Sequence, residues 1–260
     1  MNWSRELDAA VDAARAAGDL LMEWFRTDFE VRDKGGKGPV TDADLAADRL
    51  LREMLTAAFP EDGWLSEETA DTPHRLDKDR VWIIDPLDGT KDFAAGRPEF
   101  SVSVGLSVRG EAVVGAVFNP ATAEFVAGAA GLGATLNGVA TSPTSTDDLS
   151  AARVVLSRSE MDRDLYAPLA DSLTPAPVGS VAYKLALVAA GLADATFTPR
   201  PRNEWDLCGG VAVLHAAGGK ATNGAGDAYV FNRSDPLNVG VCGTNGPLHA
   251  AALDALTRCG

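Results

Sequence analysis

The chain has 260 residues, 46% hydrophobic and 23% charged, enough apolar sequence for one large domain or two smaller ones. Its formal net charge of -14, from 23 Lys and Arg against 37 Asp and Glu, argues against a nucleic-acid duplex as partner, because the duplex phosphates would be repelled. No run approaches the roughly 18 apolar residues of a membrane span, and MNWSRELDAA is polar where a signal peptide would be apolar, so no membrane partner and a cytoplasmic location are expected.

Ser4 is expected to cap a first helix, whose apolar positions Leu7, Val11, Ala14, Leu21, Trp24 and Phe25 recur at helical spacing up to about Arg26. A Gly-rich loop with two lysines, DKGGKGPVT (Asp33 to Thr41), follows, and Lys34 and Lys37 on it could close over a site. Thr41 or Asp42 then caps a second helix, stopped by Pro60. Short strands are predicted at Trp64 to Ser66, Val81 to Ile84, Ser101 to Val108 and Ala112 to Phe118, the last two joined by a turn at Arg109-Gly110.

The polar STDDLSAA (Ser145 to Ala152) suggests a division into halves, residues 1–145 and 146–260. Beyond it come a strand near Arg153 to Ser157, a helix near Ser180 to Ala190 and a strand near Ala195 to Thr198. The tail reads as a helix from Trp205 to Ala217 stopped by Gly218-Gly219, a strand from Asn238 to Cys242, and a last helix after Pro247. Helices, mixed strands and helices again indicate a layered α/β architecture.

Several chemistries lack their residues. The three cysteines show no C-x-x-C spacing and read as free thiols, and the three histidines have no metal-ligand spacing, so any metal should be oxygen-bound, Mg²⁺ or Mn²⁺. GGKAT (Gly218 to Thr222) has Ala221 where a phosphate loop needs Ser or Thr. No G-x-S-x-G elbow supplies a serine nucleophile.

What remains is a set of acids at the ends of apolar runs: Ser66-Glu67-Glu68, then Asp85, Asp88 and Asp92 in VWIIDPLDGTKDF, then Asp206 after Trp205. Crowding unpaired carboxylates at the end of a core strand is costly, so positive charge is expected among them.

SEE (Ser66 to Glu68), WIIDPLDGTKDF (Trp82 to Phe93) and WDLCGGVAVLHAAGG (Trp205 to Gly219), with PVTDAD (Pro39 to Asp44) upstream, resemble the inositol monophosphatase superfamily of Mg²⁺-dependent, lithium-sensitive phosphatases. The resemblance implies a layered α/β/α/β/α sandwich with mixed and antiparallel sheets. By the same likeness most metal ligands fall in the N-terminal half. Glu67, Asp85 and the Leu87 carbonyl would hold one Mg²⁺, Asp85, Asp88 and Asp206 a second, and a third, weaker ion would sit near Glu67. Thr90, backed by Asp44, would orient and deprotonate the attacking water, and the Gly89 and Thr90 amides would cradle phosphate. The partner would be a small phosphorylated metabolite, and homodimers occur among relatives.

GSVAYKLALVAAGLADATFT (Gly179 to Thr198) followed by NEWD (Asn203 to Asp206) resembles the bacterial 3'(2'),5'-bisphosphate nucleotidases of sulfur assimilation. Ser180 and Lys184, four apart on one helix, are candidates for a second phosphate. Inositol-cleaving members place a glutamate seven residues before the WD acid; here Pro199 stands there, and Glu204 is the nearest substitute. The implied substrate is adenosine 3',5'-bisphosphate. Inositol-1-phosphate is the alternative, possibly with dual activity that includes fructose-1,6-bisphosphate. A noncatalytic phosphometabolite-binding protein would have had no need to keep all these acids.

Overall fold

A computed structural model of the chain describes residues 2–33 and 39–259, so Lys34 and Lys37 lie outside the described residues. In chain order the elements are α1 (Ser4–Trp24), β1 (Val31–Asp33), β2 (Pro39–Thr41), α2 (Asp42–Ala58), β3 (Gly63–Ser66), β4 (Arg80–Asp88), α3 (Thr90–Ala94), β5 (Ser101–Val108), β6 (Glu111–Asn119), β7 (Glu124–Ala129), β8 (Gly133–Leu136) and β9 (Val139–Thr141). They continue with β10 (Val155–Ser157), α4 (Arg158–Met161), β11 (Ala176–Val178), α5 (Val181–Ala189), β12 (Ala195–Thr198), β13 (Arg202–Asn203), α6 (Glu204–Ala217), β14 (Lys220–Thr222), β15 (Leu237–Asn238), β16 (Val241–Thr244) and α7 (His249–Thr257).

Strands β3 to β9 form one seven-stranded sheet in chain order, parallel only between β3 and β4. The unbroken apolar run of β4 has its cause in burial on both faces. Trp82 and Ile84 belong to the core under α1 and α2, where Ala10, Ala14, Leu21, Leu51 and Leu55 pack. Val81 and Ile83 point to the opposite core, with Leu185 of α5 and Leu207 and Val211 of α6. Beyond α5 and α6 lies the antiparallel sheet β12-β16-β14, and α7 closes the far side around Phe197, Cys242, Leu248 and Ala252. The layers are therefore α/β/α/β/α, as the resemblance implied.

Helix α6 approaches the large sheet almost at backbone contact. A Cβ on Gly115 of β6 would lie 2.3 Å from the Gly209 carbonyl oxygen, so no side chain fits there. The large sheet ends at Thr141, yet α6, from the second half of the chain, packs on its centre.

Some local expectations change. Ser4 is the first residue of α1 and not its cap: Trp3 holds the N-cap position with no side-chain cap bond, and Asn2 Oδ1 accepts from the Ser4 amide at 3.1 Å. The expected strand Asn238 to Cys242 is split, because β15 pairs with β13 while β16 lies between β12 and β14. Strands β7, β8 and β9 had no counterpart in the sequence reading; EFVAGA, GATL and VAT are short and rich in small residues, so they carry little alternation. All three cysteines are free and buried.

Candidate active site

Parallel neighbours β3 and β4 end side by side, and this delivers the site. Glu67 follows β3, with its amide donating to the Ile84 carbonyl at 3.2 Å. Pairing of β4 with β5 breaks after Asp85 and resumes at Asp88 opposite Ser101, so the Asp-Pro-Leu-Asp segment bulges out of register. The start of α6 brings in Asp206. Asp85, Asp88 and Asp206 each offer a carboxylate oxygen within 4.8 Å of the others. Glu67 and Leu87 line the same cavity, of about 330 Å³.

These acids share one design, in which one oxygen does structural work. Asp85 Oδ1 accepts from the Leu87 amide at 3.0 Å. Asp88 Oδ2 accepts from the Ser180 hydroxyl and from the Ala182 amide, both at 2.7 Å, at the start of α5. Asp206 Oδ2 accepts from the Asn203 amide at 2.8 Å and is the third residue of a capping box on α6. Among the described residues the buried Asp85 Oδ2 has no hydrogen-bond donor.

Without a cation this arrangement opposes ionisation. Burial, then the charges of Glu67, Asp88 and Asp206, hold the Asp85 carboxyl well above the usual carboxylate range. Burial, followed by Asp88 and Glu67, pushes Asp206 up to about 8. An orphaned buried carboxylate oxygen amid hard oxygen donors fits Mg²⁺, with Glu67, Asp85, Asp88, Asp206 and the Leu87 carbonyl as the groups that would hold it. Bound there, the metal supplies charge neutralisation for a phosphate and lowers the pKa of water.

Thr90 and Asp44 meet as the resemblance implied. Thr90 Oγ1 lies 3.0 Å from Asp44 Oδ1 and 3.1 Å from the Leu87 carbonyl. Asp44 Oδ2 accepts from the Thr41 amide at 2.8 Å and its hydroxyl at 2.6 Å in the capping box of α2, so the carboxylate cannot swing. Gly89 precedes Thr90 with φ of 100°, and a Cβ would lie 3.0 Å from the Glu99 carbonyl; only glycine makes this turn without strain.

The second-half candidates are placed differently from expectation. Ser180 caps α5 and directs its hydroxyl at Asp88, with Ser101 Oγ 3.0 Å away, so it supports a metal-site acid from behind. Lys184 lines the cavity but is 5% exposed, and its Nζ donates to the carbonyls of Ser180 at 2.6 Å and of Val178 and Gly179 at 3.3 Å. Burial pulls its pKa down to about 8.

Glu204 does not reach the cavity. Its side chain is fully buried, accepting from the backbone amides of Asn232 at 2.6 Å and Arg233 at 2.9 Å, and burial raises its carboxyl to about 7. As the first residue of α6 it points away from Asp206, two positions on, and cannot replace an inositol-binding glutamate.

Three functional positions escaped the sequence reading. Arg158 and Arg202 line the cavity; Arg158 pairs with Glu99 at 2.6 Å and lies 3.6 Å from Asp92, Arg202 pairs with Glu160, and among the described residues neither buried Nε has a hydrogen-bond acceptor. Neither sits in a motif; only the fold brings them together. Asp48, one turn after Asp44 on α2, accepts from the Ser66 hydroxyl at 2.5 Å and the Thr69 hydroxyl at 2.6 Å, gripping the loop that carries Glu67. Its four-residue spacing from Asp44 was a visible signal.

A model of the inositol monophosphatase family matches residues 2–259. Inositol monophosphatase 3 of Solanum lycopersicum is 32% identical over 97% of this chain and 96% of its own. A histidinol-phosphatase of Chlorobaculum parvum is 33% identical over 82% of this chain and 84% of its own. The structure of inositol monophosphatase from Anabaena (Nostoc) sp. PCC 7120 superposes with a TM-score of 0.84 at 31% identity, covering 99% of this chain and 97% of that one. Matched end to end in sequence and in fold, with acids gathered where a Mg²⁺-dependent phosphatase needs them, the chain is a phosphatase of the inositol monophosphatase family.

Proposed function

We propose that the protein hydrolyses adenosine 3',5'-bisphosphate to AMP and phosphate, using two or three Mg²⁺ ions, with Mn²⁺ as a substitute. The observation that carries this reading is that basic side chains share the cavity with the carboxylates: Lys91, Arg158 and Arg202 line it, with Arg158 held by Glu99 and Arg202 by Glu160, so a substrate with more than one anionic group meets fixed cations. Thr90 presents hydroxyl lone pairs to the attacking water and takes its proton while its own hydroxyl proton passes to Asp44, which returns it to solvent. Water oxygen bonds to phosphorus, the ester P–O bond breaks, and the leaving 3'-oxygen is protonated from solvent. Gly89 and Thr90 amides at the start of α3 hold phosphate oxygens.

Inositol-1-phosphate is the second reading, supported by the activity for which the tomato and Anabaena relatives are named. Against it stands the position of Glu204, which is held by the Asn232 and Arg233 amides outside the cavity and so is not offered to inositol hydroxyls. Histidinol phosphate, the substrate named for the Chlorobaculum relative, carries a single phosphate and so uses fewer of the cavity's cations than a bisphosphate does.

Initial rates on adenosine 3',5'-bisphosphate, inositol-1-phosphate, fructose-1,6-bisphosphate and histidinol phosphate at one fixed Mg²⁺ concentration test the proposal. The nucleotide is expected to lead in kcat/KM by at least about tenfold, ~1.4 kcal/mol of transition-state binding. A lead for inositol-1-phosphate would overturn the substrate assignment and leave the phosphatase chemistry standing.

A further inference from the structure

Beside the carboxylate-lined cavity lies a second one, of about 450 Å³, and the two share Lys91, Ser159, Pro201 and Arg202. Arg163 and Arg200 complete the second cavity. Four cations thus surround one hollow in a chain whose formal net charge is -14.

The only acid among the described residues lining that hollow is Glu160, and it is already engaged. Glu160 is buried; one oxygen accepts from the Tyr166 hydroxyl at 2.5 Å and the other pairs with Arg202 Nη2. This pairing fixes the Arg202 guanidinium while its buried Nε stays without an acceptor. Among the described residues no carboxylate pairs with Lys91, Arg163 or Arg200. Like charges gathered this way repel one another unless an anion joins them, and Arg163 from the turn after α4, Arg200 from the loop after β12 and Arg202 from β13 can engage phosphate oxygens in the bidentate manner.

We infer that Lys91, Arg163, Arg200 and Arg202 form a subsite for a second phosphate of the substrate, remote from the one hydrolysed. The inference rests on the phosphomonoesterase reading above. It moves recognition of the remote phosphate from Ser180 and Lys184, whose polar groups are spent on Asp88 and on backbone carbonyls, to the neighbouring hollow. Arg202 stands at the junction of the two cavities, and Arg163 and Arg200 lie farther from the metal-site acids.

The test is the double variant Arg163→Gln, Arg200→Gln, whose side chains are exposed and without ion pairs, so the fold should persist, as checked by an unchanged melting temperature. Initial rates on adenosine 3',5'-bisphosphate and on inositol-1-phosphate would be measured at one ionic strength and Mg²⁺ concentration, with inhibition by AMP alongside. A selective effect is expected: kcat/KM on the bisphosphate falls by about tenfold more than on the monophosphate, mainly through KM, and AMP inhibits about tenfold less well. Equal losses on both substrates would mean general electrostatic steering and would overturn the subsite, as would no loss on either. Should the wild-type enzyme turn over inositol-1-phosphate but no bisphosphate, the substrate reading fails by itself. The subsite is then judged on AMP as an inhibitor of monophosphate turnover, where equal inhibition of wild type and variant would overturn it.

Discussion

The hydroxyl of Ser180 donates to Asp88 Oδ2 at 2.7 Å, linking the first turn of α5 to an acid at the end of β4. The same hydroxyl accepts from the Tyr183 amide at 2.9 Å, so one side chain both caps a helix and aims a metal-site carboxylate. Ser180 also holds φ of 52°, a conformation a serine adopts at some cost. The second half of the chain thus contributes to the carboxylate cluster in two ways, directly through Asp206 and indirectly through Ser180.

Ser180→Ala should cost about 1 kcal/mol of stability through the lost cap and raise the Mg²⁺ concentration for half-maximal activity about tenfold, equally on mono- and bisphosphate substrates. Ser180→Gly relieves the backbone strain and should recover stability without recovering Mg²⁺ affinity. Mg²⁺ titrations of each variant, by activity and by melting temperature, check this; a loss confined to bisphosphates would instead place the hydroxyl on substrate.

Asp48 and Asp44 sit on one face of α2 and hold different parts of the site, Asp48 the Ser66 and Thr69 hydroxyls and Asp44 the Thr90 hydroxyl. Asp48→Ala leaves two hydroxyls without their acceptor and should destabilise the fold by about 1–3 kcal/mol. Because Glu67 follows Ser66 directly, the Mg²⁺ requirement should also rise, and calorimetric Mg²⁺ titration reads that separately from turnover.

Thr90→Val keeps the side-chain shape and removes the hydroxyl that bridges water and Asp44. kcat should fall by about 10²- to 10⁴-fold, the range for losing positioned proton transfer, while Mg²⁺ still raises the melting temperature as in wild type. Turnover near wild type would exclude Thr90 from water activation.

The convergence of Asp85, Asp88 and Asp206 was legible in the sequence because each stands in a motif at an element boundary, where Asp-Pro-x-Asp-Gly-Thr and Trp-Asp carry their own local geometry. The continuous apolar VWII also announced a buried strand, and the structure adds that Trp82 and Val81 face different cores. The reading failed where side-chain direction mattered. Ser180 and Lys184 share a helix face, yet one turns to Asp88 and the other folds back on the carbonyls before the helix. Glu204 and Asp206 are neighbours in sequence and point to different surroundings. Arg158, Arg163, Arg200 and Arg202 come from two distant segments, and nothing local marks them as convergent.

Gly115→Ala tests the close seating of α6, which carries Asp206. The added Cβ would press on the Gly209 carbonyl, forcing helix and sheet apart at a cost of about 1–3 kcal/mol. Chemical denaturation measures the stability term. A parallel weakening of Mg²⁺ binding would show that the displacement reaches Asp206.

Removing the metal should make stability fall with rising pH. The Asp85 carboxyl is raised in the folded protein by burial and by Glu67, Asp88 and Asp206, and Asp206 is raised to about 8 by burial, Asp88 and Glu67. A carboxyl with a folded value above its unfolded value near 4 binds more protons folded than unfolded. Its contribution is therefore fully present below about pH 4 and is lost progressively as pH rises to about 8. In excess chelator the melting temperature should decline between about pH 6 and pH 8.5 once the change common to the whole chain is subtracted, using Asp206→Asn as the reference. Saturating Mg²⁺ replaces the missing protons as the source of positive charge, so the stabilisation it gives should be larger at pH 8.5 than at pH 6. Scanning fluorimetry across that range, with and without Mg²⁺, reads both trends; a Mg²⁺-induced shift that is the same at both ends would mean that the acids are not competing with protons for the metal.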